Sequence, residues 1–386
     1  MTSTLTKLNS ADYFAPIKIG GSKAKSDSGI GRNSGQLELV STRQWDEIAS
    51  QFADLIAEQM GSFNTGHWGE ENMEFAVIRD GSKLIGGAAV IVKSVPFTNT
   101  GIAILKWGPL CHVKGQVFSV HDYCTVVDCL KQEYCVKRKF NLTIMPYAKP
   151  EVSEKCESSL LAMGFTIGEG LPAPERYIVN VGQDSEMLKA SLDQKWRYNM
   201  RKAFKNDLEI KLVDAREGLE EFLDLYKQMI ERKKFLDASA IDALEEIVYN
   251  SPAATRPLIA LAYHEGRVTA GGVFHVSGSV ASYMFGATDE RALRLKAGYA
   301  MHWWMAEHLC QQEDIQWYDL GGNDLDQGLH QFKKGFVGKS GEIMTAPPRY
   351  HFSRNLSAKL VGFSAFRARS IASSLKRSMH ALWQRK

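Results

Sequence analysis

The pattern of apolar and polar residues predicts the same order of strands and helices twice along the chain. In each half, two apolar strands joined by a glycine turn precede a third strand, a long helix, a fourth strand and a short helix that ends in Gly-Phe. Gly81, Gly86 and Gly87 of the first hairpin recur at the same spacing in the second, from Gly266 onward. A fixed order of matched elements predicts duplication of one α/β unit.

The matched elements predict two tandem domains, which a chain of 386 residues is long enough to hold. The matched pairs are strands 102–105 and 281–285, helices 117–138 and 298–311, and strands 141–145 and 316–320. We therefore predict an N-terminal arm over 1–36, a first domain over 37–170, a second domain over 171–353 and a separate C-terminal helix over 354–386.

Composition indicates a globular protein rather than a disordered one, because 44% of the residues are hydrophobic and 10% are aromatic. No run of about 18 apolar residues occurs, so we expect no transmembrane helix. The first 36 residues are rich in Ser, Gly and Lys, without the apolar segment of a secretory signal, so we expect a disordered arm and a cytoplasmic protein.

The net charge of +3 is unevenly distributed. From Arg354 to Lys386 there are eight Lys or Arg residues and no Asp or Glu, so the remainder of the chain is mildly acidic. This balance excludes a protein that coats nucleic acid along its whole surface. The excess positive charge is instead concentrated in the predicted C-terminal helix.

The six cysteines include no C-x-x-C pair, so we expect reduced thiols and no metal. Cys111, His112, His121 and Cys124 form the alternative, a set of ligands that could hold a metal ion. No G-x-S-x-G, H-E-x-x-H or Walker lysine motif is present either. Serine and zinc hydrolases are therefore disfavoured.

The densest chemical signal is the segment 319–341, DLGGNDLDQGLHQFKKGFVGKSG. A strand ends there, a Gly-Gly turn follows, and a short helix carries Lys333 and Lys334. Ligands usually bind at the carboxyl ends of strands in α/β sheets, where a lysine can hold a phosphate or stabilise an oxyanion. The alternative is a solvated basic face of the helix.

Two further segments carry positive charge. Arg294, Lys296 and Gly298 precede a helix at the place where acyl-CoA enzymes hold a pyrophosphate, although a single glycine also fits a simple helix start. The segment 185–205, predicted as one helix, interleaves basic residues with aromatic ones. It can grip a phosphate backbone and stack bases, or it can be an amphipathic helix with its aromatics in the core.

With these motifs in order, the chain resembles the FemAB family. The matching segments are Trp68-Gly69, Trp107-Gly108-Pro109, K-W-R-Y-N-M-R-K-A at 195–203, S-Y-M-F-G-A-T at 282–288, D-L-G-G, and F-K-K-G-F-V-G. The resemblance implies two tandem GNAT-like acyltransferase domains of mixed α/β class, each with a central mixed sheet flanked by helices. It also implies aminoacyl transfer from aminoacyl-tRNA to a primary amine, typically of a peptidoglycan or other cell-envelope precursor, with no cofactor.

The resemblance assigns roles to individual residues. Lys333 would stabilise the developing charge, with Lys334 as its rival. The implied substrate-binding residues are Trp68, Arg197, Asn199, Arg201, Tyr283 and Lys334. The alternative is an acyl-CoA-dependent N-acyltransferase that acts on a polysaccharide or small amine, with the cofactor held by Arg294, Lys296 and Gly298.

The C-terminal segment 355–384 places apolar residues at steps of three and four, opposite a face rich in Lys and Arg. Helices of this kind lie on anionic membrane surfaces. Docking on the body of the protein and contact with tRNA are the alternatives. The membrane interpretation predicts a peripheral protein on the inner face of the membrane.

Overall fold

A computed structural model describes residues 35–147, 152–171, 174–233, 240–322, 326–364 and 366–367. The predicted N-terminal arm lies outside the described residues except at its end, because β1 begins at Gln36. The last part of the predicted C-terminal helix, from residue 368 onward, also lies outside them.

Fourteen strands form two seven-stranded mixed sheets, which confirms the predicted mixed α/β class. The strands are β1 (Gln36–Val40), β2 (Met73–Asp80), β3 (Lys83–Ser94), β4 (Gly101–Lys106), β5 (Asn141–Met145), β6 (Thr166–Ile167), β7 (Glu175–Asn180), β8 (Glu209–Val213), β9 (Leu258–His264), β10 (Arg267–Ser277), β11 (Val280–Thr288), β12 (Trp317–Asp319), β13 (Glu342–Thr345) and β14 (Tyr350–Phe352). The first sheet has the order β1-β2-β3-β4-β5-β14-β6, and the second has the order β13-β7-β12-β11-β10-β9-β8.

Helices flank both sheets. They are α1 (Thr42–Ala49), α2 (Gly61–Trp68), α3 (Val120–Leu130), α4 (Ser153–Ala162), α5 (Ser185–Ser191), α6 (Gln194–Ala203), α7 (Ala215–Lys233), α8 (Leu244–Asn250), α9 (Ala292–Leu295), α10 (Ala297–Leu309), α11 (Gln327–Val337) and α12 (356–364). Helix α3 continues as a π-helix at Lys131–Lys137.

The single basic helix predicted over 185–205 is wrong, because two helices occupy this segment. Leu192 and Asp193 both have extended backbone dihedral angles, which end α5 and start α6. Leu192 is buried in the second core, and the Asp193 amide donates to the Gly335 carbonyl. These tertiary contacts therefore stabilise a non-helical link in a sequence that would otherwise favour one continuous helix.

The predicted repeat is visible in the strand pairing. In the first half β4 and β5 are parallel, with α3 between them in sequence, and in the second half β11 and β12 are parallel, with α10 between them. Gly81 and Gly266 occupy the two hairpin turns at φ values of 58° and 75°, a region that favours glycine. Each half is thus built on the same hairpin and the same parallel crossover.

The closing strands are exchanged between the halves, so a strand next to the predicted domain boundary at residue 353 lies in the sheet of the other half. Strand β6 lies in the first sheet, while the next strand, β7, pairs with β12 in the second. Near the end of the chain β13 stays in the second sheet, and β14 returns to pair with β5 in the first. Residues 350–352, predicted as part of the second domain, therefore complete the first sheet.

The halves also touch through backbone and side-chain hydrogen bonds. The Ala53 carbonyl accepts from the Ser279 amide at 2.9 Å, and the hydroxyls of Ser62 and Ser251 lie 2.8 Å apart. Each sheet packs its helices around a buried apolar cluster of its own. Of the described helices, none is long and apolar enough to cross a membrane.

Candidate active site

The carboxyl end of β12 carries a fully buried carboxylate, Asp319. Its Oδ2 accepts from the Tyr147 hydroxyl at 2.8 Å and pairs with the Arg176 guanidinium, while its Oδ1 accepts from the Gly321 amide at 2.7 Å. Gly321 has a φ of 74°, so the chain turns sharply back toward the carboxylate. A buried charge is tolerated when its lone pairs are satisfied in this way.

Arg176 stays charged within this network. Burial alone would lower the pKa of its guanidinium, but Asp319 and then Tyr147 raise it above its ordinary value. Burial and Asp319 together raise the pKa of the Tyr147 hydroxyl, which therefore remains a donor. The network therefore consists of the ion pair between Asp319 and Arg176 and the neutral phenol of Tyr147.

Trp107, from the Trp-Gly-Pro motif of the first half, reaches the ion pair of the second half. The Arg176 guanidinium lies 5.2 Å from the Trp107 ring centre and 5.8 Å from that of Tyr147. Trp107 follows β4 and Tyr147 follows β5, and the Trp107 amide donates to the Met145 carbonyl at 2.7 Å. The carboxyl ends of β4 and β5 thus meet the carboxyl end of β12.

Lys333 is buried against this same strand end. Its side chain is only 6% exposed, and its Nζ donates to the carbonyls of Leu320 and Gly322, each at 2.5 Å. Helix α11, which carries it, is capped by the Asp326 carboxylate, which accepts from the Leu329 amide at 2.7 Å. Lys334, one position further along the helix, is exposed. The structure therefore distinguishes the two lysines by their burial.

A buried histidine, His302 on α10, adjoins Lys333. Its Nδ1 lies 2.7 Å from the Tyr318 hydroxyl. Burial first, and then the positive charge of Lys333, lower the pKa of His302 to about 3. The ring is therefore neutral at physiological pH and serves as a hydrogen-bonding group rather than a cation.

Aromatic rings from three helices pack against one another next to His302, and we call them the aromatic cluster. Its members are Trp196 of α6, Tyr299 and His302 of α10, and Phe332 and Phe336 of α11, with ring centres between 4.4 and 6.0 Å apart. The cluster brings the basic helix α6, the start of α10 and the lysine helix α11 together. The segments predicted to bind donor and substrate thus converge on one region.

Tyr283, predicted to bind substrate, lies at the edge of this cluster. Its ring centre is 4.7 Å from that of His302, and burial raises the pKa of its hydroxyl. A Cβ on Gly286 would lie 1.5 Å from the Tyr283 hydroxyl oxygen. The glycine in S-Y-M-F-G-A-T therefore makes room for the tyrosine three residues earlier.

The other predicted residues divide between surface and interior. Arg197 donates to the Ala190 carbonyl at 2.7 Å, and buried Asn199 donates to the Lys195 carbonyl at 3.0 Å. Arg201 is exposed, and Trp68 ends α2, where it packs against the core of the first half. Their roles in substrate binding stay predictions.

The predicted cofactor residues lie together at the amino end of α10. Arg294 is exposed on α9, Lys296 has a φ of 59° between the two helices, and Gly298 lies in the first turn of α10 with open space beside it. Tyr299, the next residue, contacts Phe332. This end of α10 is thus close to the aromatic cluster, and its binding of a cofactor stays a prediction.

Several residues of the site were not predicted from the sequence. Glu175, Tyr177 and His330 form one group, in which the Tyr177 hydroxyl donates to Glu175 at 2.6 Å and lies 2.5 Å from His330 Nδ1. Arg176, Tyr147 and His302 were missed as well, since each is a single residue without a motif. Among the described residues no group of three or more His, Cys, Asp or Glu side chains could hold a metal ion.

Comparison with known proteins now adds to this geometry. A family model, the acetyltransferase (GNAT) domain, matches residues 190–334. The crystal structure of FemX superposes with a TM-score of 0.66 at 15% identity, covering 83% of this chain and 98% of FemX. The chain has the fold of FemX. This supports the resemblance to the FemAB family and confirms the predicted GNAT-like architecture.

Two further structures are similar to this FemX-like chain. The C-terminal (DUF2156) domain of a candidate lysylphosphatidylglycerol synthetase from Agrobacterium fabrum matches at 12% identity with a TM-score of 0.55, covering 84% of this chain and 97% of that domain. L-PGS from Bacillus licheniformis matches at 12% identity with a TM-score of 0.50, covering 84% and 98%. None of the curated proteins matches. The GNAT domain and the FemX fold together support an acyltransferase.

Proposed function

We propose that the protein transfers an aminoacyl group from aminoacyl-tRNA to a primary amine of a peptidoglycan or other cell-envelope precursor. The observation that carries this proposal is the burial of Lys333 at the carboxyl end of β12, beside the residues that join the two halves. Similarity to FemX and to a candidate lysylphosphatidylglycerol synthetase supports an aminoacyl group and a cell-envelope acceptor.

The chemistry needs a stabilised negative charge rather than a covalent enzyme intermediate. The neutral acceptor amine attacks the ester carbon, and the carbonyl oxygen becomes an oxyanion. The C–O bond to the ribose then breaks as the amide forms, and the ribose oxygen leaves as a hydroxyl that takes up the proton lost by the amine nitrogen. The Lys333 ammonium already lies among carbonyl oxygens, Leu320 and Gly322, where a substrate oxygen can replace one of its acceptors. A fixed charge in a dry site stabilises the oxyanion far more than it would in water.

Helix α6 supplies a surface for the tRNA. Tyr198 and Phe204 are 57% and 54% exposed, and they lie among the exposed side chains of Lys195, Arg201 and Lys202. Trp196, by contrast, packs inward in the aromatic cluster. Helix α6 therefore fits both interpretations of the sequence. Trp196 packs in the core, while Tyr198 and Phe204 lie beside basic residues that can contact phosphates and bases.

A comparison of donors tests the proposal. The purified chain is incubated with a radiolabelled pool of charged tRNA, or with radiolabelled acetyl-CoA, in the presence of muramyl-peptide and small amine acceptors. We expect label to move from tRNA to a muramyl peptide. Label moved only from acetyl-CoA would contradict the proposal.

The alternative function, acyl-CoA-dependent N-acylation, has one specific observation in its favour. The matched family model is an acetyltransferase domain, and the residues predicted for the pyrophosphate, Arg294, Lys296 and Gly298, fall inside it. Lys296→Glu distinguishes the two functions, since it should raise the KM for acetyl-CoA if that is the donor. Exposed Lys227→Glu serves as the matched control.

A further inference from the structure

One edge of the first sheet combines exposed apolar side chains with basic ones. Phe97, in the loop between β3 and β4, is fully exposed at a φ of 61°. On α12, Leu356, Leu360 and Phe363 are 81%, 65% and 61% exposed. Apolar side chains grouped in this way on a protein surface mark an interaction site.

A cavity of about 460 Å³ lies beneath α12. Its apolar wall includes Ile167, Phe352 and Phe363, and its charged residues are three basic ones and one acidic one, Arg349, Lys359, Arg367 and Glu169. Two of these cations lie over aromatic rings, Arg349 at 5.2 Å from Phe366 and Arg367 at 5.7 Å from Phe363. An apolar cavity with cationic groups around it suits a molecule with an apolar chain and an anionic head.

A second cavity, of about 380 Å³, lies on the other side of Phe140 and Asn141. It is polar, and its lining residues are Ser94, Thr98, Asn99, Thr100, Lys137, Arg138, Lys139 and Phe140. The Thr100 hydroxyl donates to the Lys139 carbonyl at 2.8 Å, which ties the loop of Phe97 to the basic turn. Of its cations, Lys137 and Arg138 pair with the carboxylates of Glu133 and Glu74, and Asn99 and Lys139 supply further donors of the kind that binds phosphate.

We propose that this edge docks the protein on an anionic phospholipid membrane. We call it the docking edge and define it as residues 94–100, 137–141, 349–353, 356–364 and 366–367. A lipid phosphate occupies the polar cavity, an acyl chain enters the apolar cavity, and Phe97 with the apolar face of α12 enters the interfacial region. Charge complementarity favours this occupant, because the docking edge holds six Lys or Arg residues and no Asp or Glu.

Exposed aliphatic side chains decide between lipid and nucleic acid. Leu356 and Leu360 contribute nothing to contact with phosphates and bases, whereas they gain free energy on entering a membrane interface. The docking edge also lies at the amino ends of β4 and β5, and the candidate active site lies at their carboxyl ends. A docked protein therefore keeps Trp107 and Tyr147 clear of the membrane contact.

Vesicle sedimentation with the full chain tests this inference. The probes are vesicles of phosphatidylcholine alone and vesicles in which phosphatidylglycerol replaces part of it. We expect binding to the anionic vesicles, weakened by salt, and at least about tenfold weaker binding to the neutral ones. Equal binding to both, or binding to neither, would overturn the proposal.

Variants separate the apolar contribution from the charge. Leu360→Ser with Phe363→Ser, Phe97→Ser, and Lys359→Glu with Arg367→Glu should each weaken vesicle binding by about tenfold or more. All these side chains are on the surface, and Val117→Ser, at a site 92% exposed, is the matched apolar control. Lys114→Glu with Lys227→Glu is the charge control, at two exposed sites outside the docking edge.

Two outcomes of the variants contradict the inference. One is binding that falls equally in the charge control, which would make it a general effect of net charge. The other is vesicle binding that survives the loss of Leu360 and Phe363. The assay contains neither charged tRNA nor acyl-CoA, so its failure would leave the transferase proposal standing, and the reverse also holds.

Discussion

At the scale of single residues, Asp319 connects the two halves chemically. It accepts from Tyr147 of the first half and pairs with Arg176 of the second, and Arg176 in turn lies over Trp107. The Asp319 carboxylate and the Arg176 guanidinium each lose a buried partner when the other is removed. Removing one member of a buried pair costs more than removing both, because it leaves a charge without its partner.

Asp319→Asn tests this dependence. We expect the free energy of unfolding to fall by about 3–5 kcal/mol, because the buried Arg176 loses its counter-charge while the volume stays the same. Denaturant unfolding measures the change, with exposed Asp314→Asn as the control. The double variant Arg176→Met with Asp319→Leu should recover much of the loss, and a double variant as unstable as the single one would contradict the argument.

The burial of Lys333 could be predicted from the sequence. It lies three residues before Phe336 and four before Val337, so it shares a helix stripe with residues that face the core. The partners of Asp319 were not predictable in the same way. Arg176 and Tyr147 come from separate strands, and only the pairing of β12 with β7 and the meeting of the two halves bring them together.

At the scale of elements, β5 and α10 were predicted well, whereas the break between α5 and α6 and the shortest strands were not. Strand β5 occupies the predicted residues 141–145, and α10 begins within one residue of its prediction. Strands β6 and β14 have two and three residues, too few for a period to be visible. Their pairing is determined by the rest of the sheet, which is why the sequence placed residues 350–352 in the second half although they pair in the first.

Truncation tests the exchange of closing strands. A chain ending after Pro348 loses β14, which leaves β5 and β6 without their common neighbour. We expect this truncation to lower the melting temperature by about 10 °C or more, or to prevent folding, as measured by circular dichroism. A chain ending after Arg367 keeps β14 and should melt within a few degrees of the full chain. Equal melting of the two would contradict the exchange.

At the scale of the whole molecule, buried neutral histidines make stability depend on pH. Burial lowers the pKa of His275 to about 4, and burial with Lys333 lowers that of His302 to about 3. The unfolded chain binds protons on these rings below about pH 6.5, well before the folded chain does. The contribution of these neutral rings to the free energy of unfolding is therefore complete above pH 6.5 and is lost as the pH falls toward 4.

His275→Leu tests this dependence. We expect the slope of unfolding free energy between pH 6 and 4.5 to decrease by about 1.4 kcal/mol per pH unit, because one proton fewer is taken up on unfolding. Chemical denaturation across this range measures the slope. Exposed His121→Gln is the control and should leave it unchanged. A slope unaffected by the loss of His275 would show that its ring does not titrate as described.

The molecule as a whole places its proposed functions at opposite ends of the first sheet. The candidate active site joins both halves at the carboxyl ends of β4, β5 and β12, and the docking edge lies at the amino ends of β4 and β5. This arrangement lets one end contact a lipid surface while the other receives donor and acceptor. The two proposals can be tested separately.

The single-turnover rate of aminoacyl transfer, compared between Lys333→Ala and Lys334→Ala, tests the assignment of Lys333 most directly. The variants differ by one helix position, one buried and one exposed. We predict that Lys333→Ala lowers the rate by about 10²–10³, as expected for one lost stabiliser of an oxyanion, and that Lys334→Ala changes it by less than about threefold. Equal rates for Lys333→Ala and the unaltered protein would contradict the assignment.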